Sequence, residues 1–260
     1  MKAMIDNSVI PLIKEMYLQN PDYHYRTNTL LTSGIGESIL FEMIGNIDEL
    51  LQGQKMAFLP SPLGVRLRID VKAKSESEAE YELSRIKKTL YDRAGEFIYG
   101  ENDNTLEEIT GKMLKEKGLT ISVAESCTGG IISSRITDVS GSSEYFKGAI
   151  ISYSNEVKEN LVLVDGGLLR EKGAVSSEVA MEMAKGVRKV LKTDIGLSAT
   201  GIAGPTGATE TKPIGLTYIA IAIGNKVYSK ELLLGDNRHR NRIRAAQAAL
   251  ELLRQELIKL

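Results

Sequence analysis

ISVAESCTGG, residues Ile121 to Gly130, decides how this chain is read. An apolar run from Leu119 to Val123 rises into Ala124, Glu125, Ser126 and Cys127. The chain then turns through Thr128, Gly129 and Gly130 into the apolar helix start Ile131-Ile132. A hydroxyl at a sharp strand-to-helix crossing sits at the carboxyl edge of a sheet, where glycines let backbone approach a ligand. The first N–H groups of the helix lack intrahelical acceptors and carry partial positive charge, which suits a phosphate or a developing oxyanion. Ser126 is therefore the candidate nucleophile. The plainer alternative is that Ser126 or Thr128 only caps the helix.

Downstream of this crossing, strand and helix patterns alternate. A helix at 105–117 precedes the strand 119–124. Helix 129–138, strand 147–152, helix 155–163, a Gly166-Gly167 turn, helix 176–191 and strand 194–199 follow. The chain closes with strands 214–223 and 226–233, paired around Gly224-Asn225, and a helix at 238–258. Such an order predicts an α/β fold, a three-layer α/β/α sandwich with a mixed sheet, over residues 104–260. Thr105-Leu106-Glu107-Glu108 reads as a capping-type helix start after the linker 101–104.

Upstream, residues 23–100 read as a small α+β unit ordered β-α-β-β-α-β. Its clearest strand alternates Val65, Leu67, Ile69 and Val71 with Arg66, Arg68 and Asp70. A strand at 25–32, a Gly34-Ile35-Gly36 turn and a helix at 37–51 precede it, with a short strand at 55–59 closed by Pro60-Ser61-Pro62. A helix at 75–93 and a strand at 96–99 complete the unit. Residues 1–22 carry one short helix, 2–19, broken early by Pro11. A lone helix of this length is marginal in water, so it reads as a remnant of something larger or a docked piece.

Composition narrows the function classes. The 33 basic and 34 acidic residues give a formal net charge of −1, so no global field draws nucleic acid or an anionic membrane. One cysteine, Cys127, excludes an intrachain disulfide. The start lacks the layout of a signal peptide, and the longest apolar runs are too short to span a bilayer. A cytoplasmic protein without membrane or nucleic-acid partners is expected. With His24 and His239 as its histidines, the chain offers no zinc-ligand cluster, and no metal or cofactor is expected.

Three further stretches sit at or just past predicted strand ends: 153–158, 199–205 and 235–238. Ligand crevices in open α/β sheets form at carboxyl strand ends, so all three can converge on Ser126. Lys158 is a candidate base if burial lowers its pKa, and Tyr153 a candidate relay; the alternative is a solvated helix lysine. Residues 200–207, with Gly201 and Gly204, form either an anion cradle of consecutive N–H groups or a simple turn-rich connection. Arg238, Arg240, Arg242 and Arg244 crowd the start of the last helix, where the macrodipole disfavours cations. A bound phosphate explains that placement; a solvated basic face is the alternative. Cys127 is a rival nucleophile, but alternation along an extended segment predicts that it and Ser126 face opposite ways.

AESCTGG at 124–130, SYSNEVK at 152–158, GAVSSEVA at 173–180, SATGIAGPTG at 198–207 and KPIG at 212–215 together resemble the C-terminal domain of the competence/damage-inducible CinA family. SGIGES at 33–38 and the unit around it resemble that family's KH-like middle domain. The resemblance implies a nicotinamide-nucleotide amidase that converts nicotinamide mononucleotide to nicotinic acid mononucleotide and ammonia. It assigns Ser126 as nucleophile, Lys158 as base, Tyr153 as proton relay, Thr200 as a site residue and Arg238 as a substrate contact. Thr128, Gly129 and Gly130 are then expected to supply backbone N–H donors, and Arg238 or Arg242 to meet the substrate phosphate. It also implies a homodimer, and a molybdopterin-binding-like front domain of which only residues 2–19 remain here. The family often reads Gly-Asp-Arg before the last helix; here Asn237 intervenes.

Two other classes compete. A short-chain-dehydrogenase-like Ser/Tyr/Lys set needs Lys four residues after Tyr, and here the spacing is five, with no G-x-G-x-x-G after an early strand. An RNA-binding or scaffold module would use the KH-like part. Gly34-Ile35-Gly36-Glu37 is neither a G-x-x-G loop nor basic, and residues 1–100 carry 12 basic against 14 acidic side chains.

Overall fold

The computed structural model describes residues 4–17 and 23–260. In the first unit, strand β1 (His24–Thr32) lies between β3 (Gly64–Ala73) and β4 (Ile98–Glu101), and β2 (Lys55–Ser61) flanks β3. All neighbours are antiparallel. The alternation of β3 is realised: Val65, Leu67, Ile69 and Val71 are buried while Arg66 and Arg68 are exposed. One face of this sheet is dry and the other wet. The dry face is covered by α2 (Glu37–Ile44), α3 (Ile47–Leu51) and α4 (Glu76–Ala94) through Leu40, Ile44, Leu50, Ile86 and Leu90.

Three local features differ from expectation. The helix expected over 37–51 is two helices, because Gly45 leaves helical geometry at φ 77° and the Asn46 side chain caps the second by accepting from the Glu49 N–H. Strand β2 runs on to Ser61, with Pro60 paired to Val65. It is an edge strand, where the N–H that proline lacks is not needed. Pro11 does not break the first helix: a π-helical turn, Ile5–Val9, leads into α1 (Ile10–Tyr17), and the wider turn accommodates the proline ring. The ends of the helix expected over 2–19 lie outside the described residues.

The second unit starts at α5 (Leu106–Lys117), whose Thr105 and Glu108 form the capping box. Its sheet has the order β6-β5-β7-β8-β9. Strand β5 (Ile121–Glu125) lies between β6 (Phe146–Ile151) and β7 (Ile195–Gly201) and is parallel to both; β8 (Leu216–Ile223) and β9 (Lys226–Leu233) continue antiparallel. A strand buried on both faces must be apolar or satisfied throughout, and every residue of β5 is buried. Ile121 and Val123 pack with α5, α6 (Ile131–Asp138) and α10 (Arg238–Ile258). Ala124, on the opposite face, packs with α7 (Asn155–Val162), α8 (Gly166–Lys172) and α9 (Ser177–Leu191). This is the expected three-layer α/β/α arrangement with a mixed sheet. The Gly166-Gly167 pair is the first turn of α8, capped by Asp165, rather than a free turn.

The crossover through α6 carries the chain from β5 to β6 over one face. The one through α7–α9 returns it to β7 over the other. Such a reversal opens a crevice at the carboxyl ends of the strands. Gly186 of α9 sets how closely α7 docks there, since a Cβ at 186 would lie 1.6 Å from the Val162 carbonyl oxygen.

Candidate active site

Three strand ends bring their loops together at that crevice. Beyond β5 stands Ser126, whose N–H still donates to the Ala199 carbonyl at 2.9 Å. Beyond β6 come Ser152 and Tyr153, and Ser154 then caps α7 by accepting from the Val157 N–H. That cap turns the chain back so that Lys158, in the first turns of α7, points at β5. Its Nζ is 2.7 Å from the Ser152 carbonyl and 3.2 Å from Ser126 Oγ. A cavity of about 210 Å³ is lined by Ser126, Cys127, Tyr153, Lys158, Thr200 and Arg238, with Gly201, Ala203 and the loop residues Ala174 and Val175.

Lys158 is only 1% exposed. Burial disfavours its ammonium form and brings its pKa from 10.5 down to about 8. No carboxylate pairs with it among the described residues, and the carbonyl of Ser152 orients the amine without neutralising a charge. Cys127 is affected in the opposite sense: burial, with the Glu125 carboxylate adding to it, pushes the thiol up to about 12. Ser126 thus faces an amine that can be neutral near neutral pH, while Cys127 stays a protonated thiol. Both residues border the cavity. Residues 126–130 have already left the strand, so its alternation no longer applies.

The amides of the turn are allotted differently from expectation. Glu125, fully buried, accepts from the N–H groups of Gly130 (2.8 Å), Ile132 (3.2 Å) and Ser133 (2.9 Å) and from Ser133 Oγ. A carboxylate of the chain itself therefore occupies the positive end of α6. The Gly129 N–H donates to the Ser126 carbonyl. Gly129 and Gly130 are thus not free donors for a ligand, and the Thr128 side chain is buried. Sequence reasoning missed Glu125; its signal was an acidic residue at a strand end just before a helix start.

Arg238 and Arg242 separate. Arg238 donates from Nη1 to the Gly204 carbonyl (2.9 Å) and from Nη2 to Tyr153 Oη (3.0 Å), at the cavity. The inserted Asn237 is the cap of α10, accepting from the Arg240 N–H, so it leaves Arg238 at the first helical position. Arg242 instead donates to the Thr128 carbonyl at 2.9 Å and packs on Gly129, bracing the turn that carries Ser126. Thr200 donates its hydroxyl to the Ala174 carbonyl (2.8 Å), tying β7 to the 173–176 loop.

The profile of the CinA C-terminal domain matches residues 103–257, and that of the damage-inducible protein CinA KH domain matches residues 27–100. The chain belongs to the CinA family. A putative competence-damage inducible protein of Halothermothrix orenii is 43% identical over 253 residues, 96% of this chain and 59% of its own length. A CinA-like protein of Dictyoglomus turgidum is 46% identical over 90% of this chain and 57% of its own length. This CinA chain therefore spans about three fifths of the length of the curated relatives it matches. Among solved structures, the competence/damage inducible protein CihA from Agrobacterium tumefaciens is 34% identical with a TM-score of 0.57, covering 59% of this chain and 93% of its own. A CinA superfamily protein from Escherichia coli is 26% identical with a TM-score of 0.56, covering 58% and 90%. No helix among the described residues is long and apolar enough to cross a membrane.

Proposed function

We propose that this chain hydrolyses the carboxamide of nicotinamide mononucleotide to nicotinic acid mononucleotide and ammonia, with Ser126 as nucleophile and Lys158 as base. The observation that carries the reading is a buried lysine, its pKa brought down to about 8, 3.2 Å from a serine hydroxyl. An amide carbonyl needs an activated nucleophile, stabilisation of its oxyanion and a proton for the departing nitrogen. Neutral Lys158 takes the Ser126 proton as Oγ bonds to the carbonyl carbon. The N–H groups of Cys127 and Thr128 are assigned to the oxyanion, since Glu125 and the Ser126 carbonyl hold the others of the turn.

Collapse of the tetrahedral adduct breaks the carbon–nitrogen bond, and the proton held by Lys158 passes to the leaving nitrogen to give ammonia. Tyr153 is assigned to that transfer. Arginine has no acceptor, so Tyr153 Oη accepts from Arg238 and keeps its own proton to donate. Water then attacks the acyl-serine while Lys158 takes its proton, and as the bond from the carbonyl carbon to Oγ breaks, Lys158 returns that proton to Ser126 Oγ and the acid leaves.

The cavity of about 210 Å³ is smaller than the roughly 300 Å³ at which pockets begin to enclose a whole ligand of nucleotide size. The pyridine ring and its carboxamide therefore enter, and ribose and phosphate lie at the mouth, where Arg238 stands. Arg238→Ala is expected to raise KM for the nucleotide roughly tenfold to a hundredfold, the range for one charged hydrogen bond, while barely altering turnover of free nicotinamide. An equal effect on both substrates would remove Arg238 from the phosphate.

The proposal as a whole is tested by measuring ammonia release from nicotinamide mononucleotide, its riboside and free nicotinamide. Release from the nucleotide with formation of the acid supports it. Folded protein that releases none refutes it.

A further inference from the structure

Helix α6 starts without a cap of its own, since its N-cap residue is Gly130. The duty falls to Glu125, the last residue of β5. Its Oε2 accepts from the Gly130 and Ile132 N–H groups, and its Oε1 from the Ser133 N–H and Oγ. All four partners donate, which suits an ionised carboxylate, an acceptor through both oxygens. Yet Glu125 is fully buried and has no cationic partner among the described residues. Burying a charge is costly, and a Ser, Thr or Asp at the N-cap satisfies a helix start without that cost. Capping alone does not account for this carboxylate.

What Glu125 adds is closure of the turn that carries Ser126. Its backbone leads into residues 126–129 and its side chain holds the point where they end. Between those ends, the Ser126 N–H donates to the Ala199 carbonyl and the Gly129 N–H to the Ser126 carbonyl. Arg242 donates to the Thr128 carbonyl, while Arg244 turns away to the Leu234 carbonyl. The turn is therefore fixed at its start, its middle and its end. Lys158 comes from α7, on the opposite face of the sheet from α6, so no local geometry sets the 3.2 Å between its Nζ and Ser126 Oγ. A shift of the turn against α7 changes that distance directly.

We propose that Glu125 is a positioning residue for the nucleophile: its carboxylate locks the start of α6 to the end of β5 and so holds Ser126 Oγ at Lys158. Glu125 lies outside the cavity lining and acts only through the turn. The proposal rests on Ser126 and Lys158 being the working pair, but not on which amide they attack. In Glu125→Gln the side chain keeps its size, and one acceptor oxygen is replaced by an NH2 group. That group must face N–H donors of Gly130 and Ile132 or of Ser133, which pushes the turn away from its place.

The test measures two rates in the full chain: ammonia release from nicotinamide mononucleotide, and labelling of Ser126 by phenylmethanesulfonyl fluoride, located by mass spectrometry. In the labelling, Oγ bonds to sulfur as fluoride leaves and Lys158 takes the proton. Glu125→Gln should lower kcat roughly a hundredfold, the cost of a misplacement of about 1 Å, with KM little changed and labelling slowed to match. Thr105→Ala removes the cap of α5, far from the turn; it should lower Tm and leave both rates alone. A folded Glu125→Gln with a lower Tm but parent-like rates, or with only KM altered, overturns the proposal and leaves Glu125 a helix cap. Should Glu125→Gln not fold, Ser133→Ala removes one of the four donors and should lose kcat severalfold, with Ser133→Thr, which keeps the hydroxyl, restoring it. Ser133→Ala at the parent rate then overturns the proposal. A parent protein that is labelled at Ser126 but releases no ammonia refutes the substrate alone, and the labelling rates decide the role of Glu125. A parent that shows neither refutes both.

Discussion

Ser126→Ala is expected to lower kcat for ammonia release from nicotinamide mononucleotide by about three orders of magnitude or more, with binding of the nucleotide retained. Groups that act as a unit each cost nearly the whole effect when removed singly, and Ser126 Oγ is the hydroxyl that Lys158 Nζ reaches in the cavity. Alanine keeps the backbone bond to the Ala199 carbonyl and removes one oxygen from a buried turn, so the fold should tolerate it. Cys127→Ala is the discriminating partner. With its thiol pushed up to about 12, Cys127 supplies almost no thiolate near neutrality, and its alanine variant should keep most activity. A dead Cys127→Ala beside an active Ser126→Ala would transfer the nucleophile to sulfur. Rapid quench followed by mass spectrometry should find the acyl group on the peptide that contains Ser126.

The fold was legible where burial imposes a period. The alternation of β3 is the clearest case, since it allows one secondary structure and one set of faces; β5 is buried throughout although it includes Ser122 and Glu125. Thr105 and Glu108 announced the start of the second unit because a capping box is a local device complete within four residues. The misreadings came where two residues competed over a short span. Gly45 and Asn46 stop one helix and start another inside a continuous apolar pattern. Pro60 sits on an edge strand, which its immediate sequence neighbours do not reveal.

At the candidate site, the meeting of Ser126, Tyr153, Lys158 and Arg238 follows from where strands end, and strand ends can be read. The destination of each N–H and each guanidinium cannot, because it depends on contacts between residues distant in the chain. Glu125 takes the helix amides expected to face a ligand, and Arg242 turns to the Thr128 carbonyl 114 residues away in sequence. The Ser152 carbonyl that orients Lys158 is backbone, and no side chain marks it. Arg238, Arg242 and Arg244 look equivalent as a run of basic residues. Their places on a helix spanning both units give them different neighbours.

Lys158 carries the second large effect, and its consequences for rate and stability have opposite signs. As base it must be neutral, and with a pKa of about 8 roughly a tenth of it is neutral at pH 7. The kcat/KM of the parent protein should therefore rise with pH along a limb centred near 8. Lys158→Arg should lose about three orders of magnitude in kcat and show no such limb, since arginine keeps the charge but does not deprotonate. For stability, the folded pKa lies below the unfolded value of 10.5, so the folded state releases a proton that the unfolded chain keeps. The resulting penalty is fully present below about pH 8 and fades as pH rises toward 10.5. Its size at pH 7 is up to about 3 kcal/mol, from 1.36 kcal/mol per pH unit. Lys158→Met, equally inactive, should unfold at higher temperature than the parent at pH 7, and that advantage should shrink as pH approaches 10. Thermal unfolding of both proteins across this range reads the difference directly. A Lys158→Met advantage that is absent at pH 7, or that grows with pH, would mean that burial does not lower the pKa of the amine. A parent-like rate in Lys158→Arg would reduce Lys158 to a fixed positive charge.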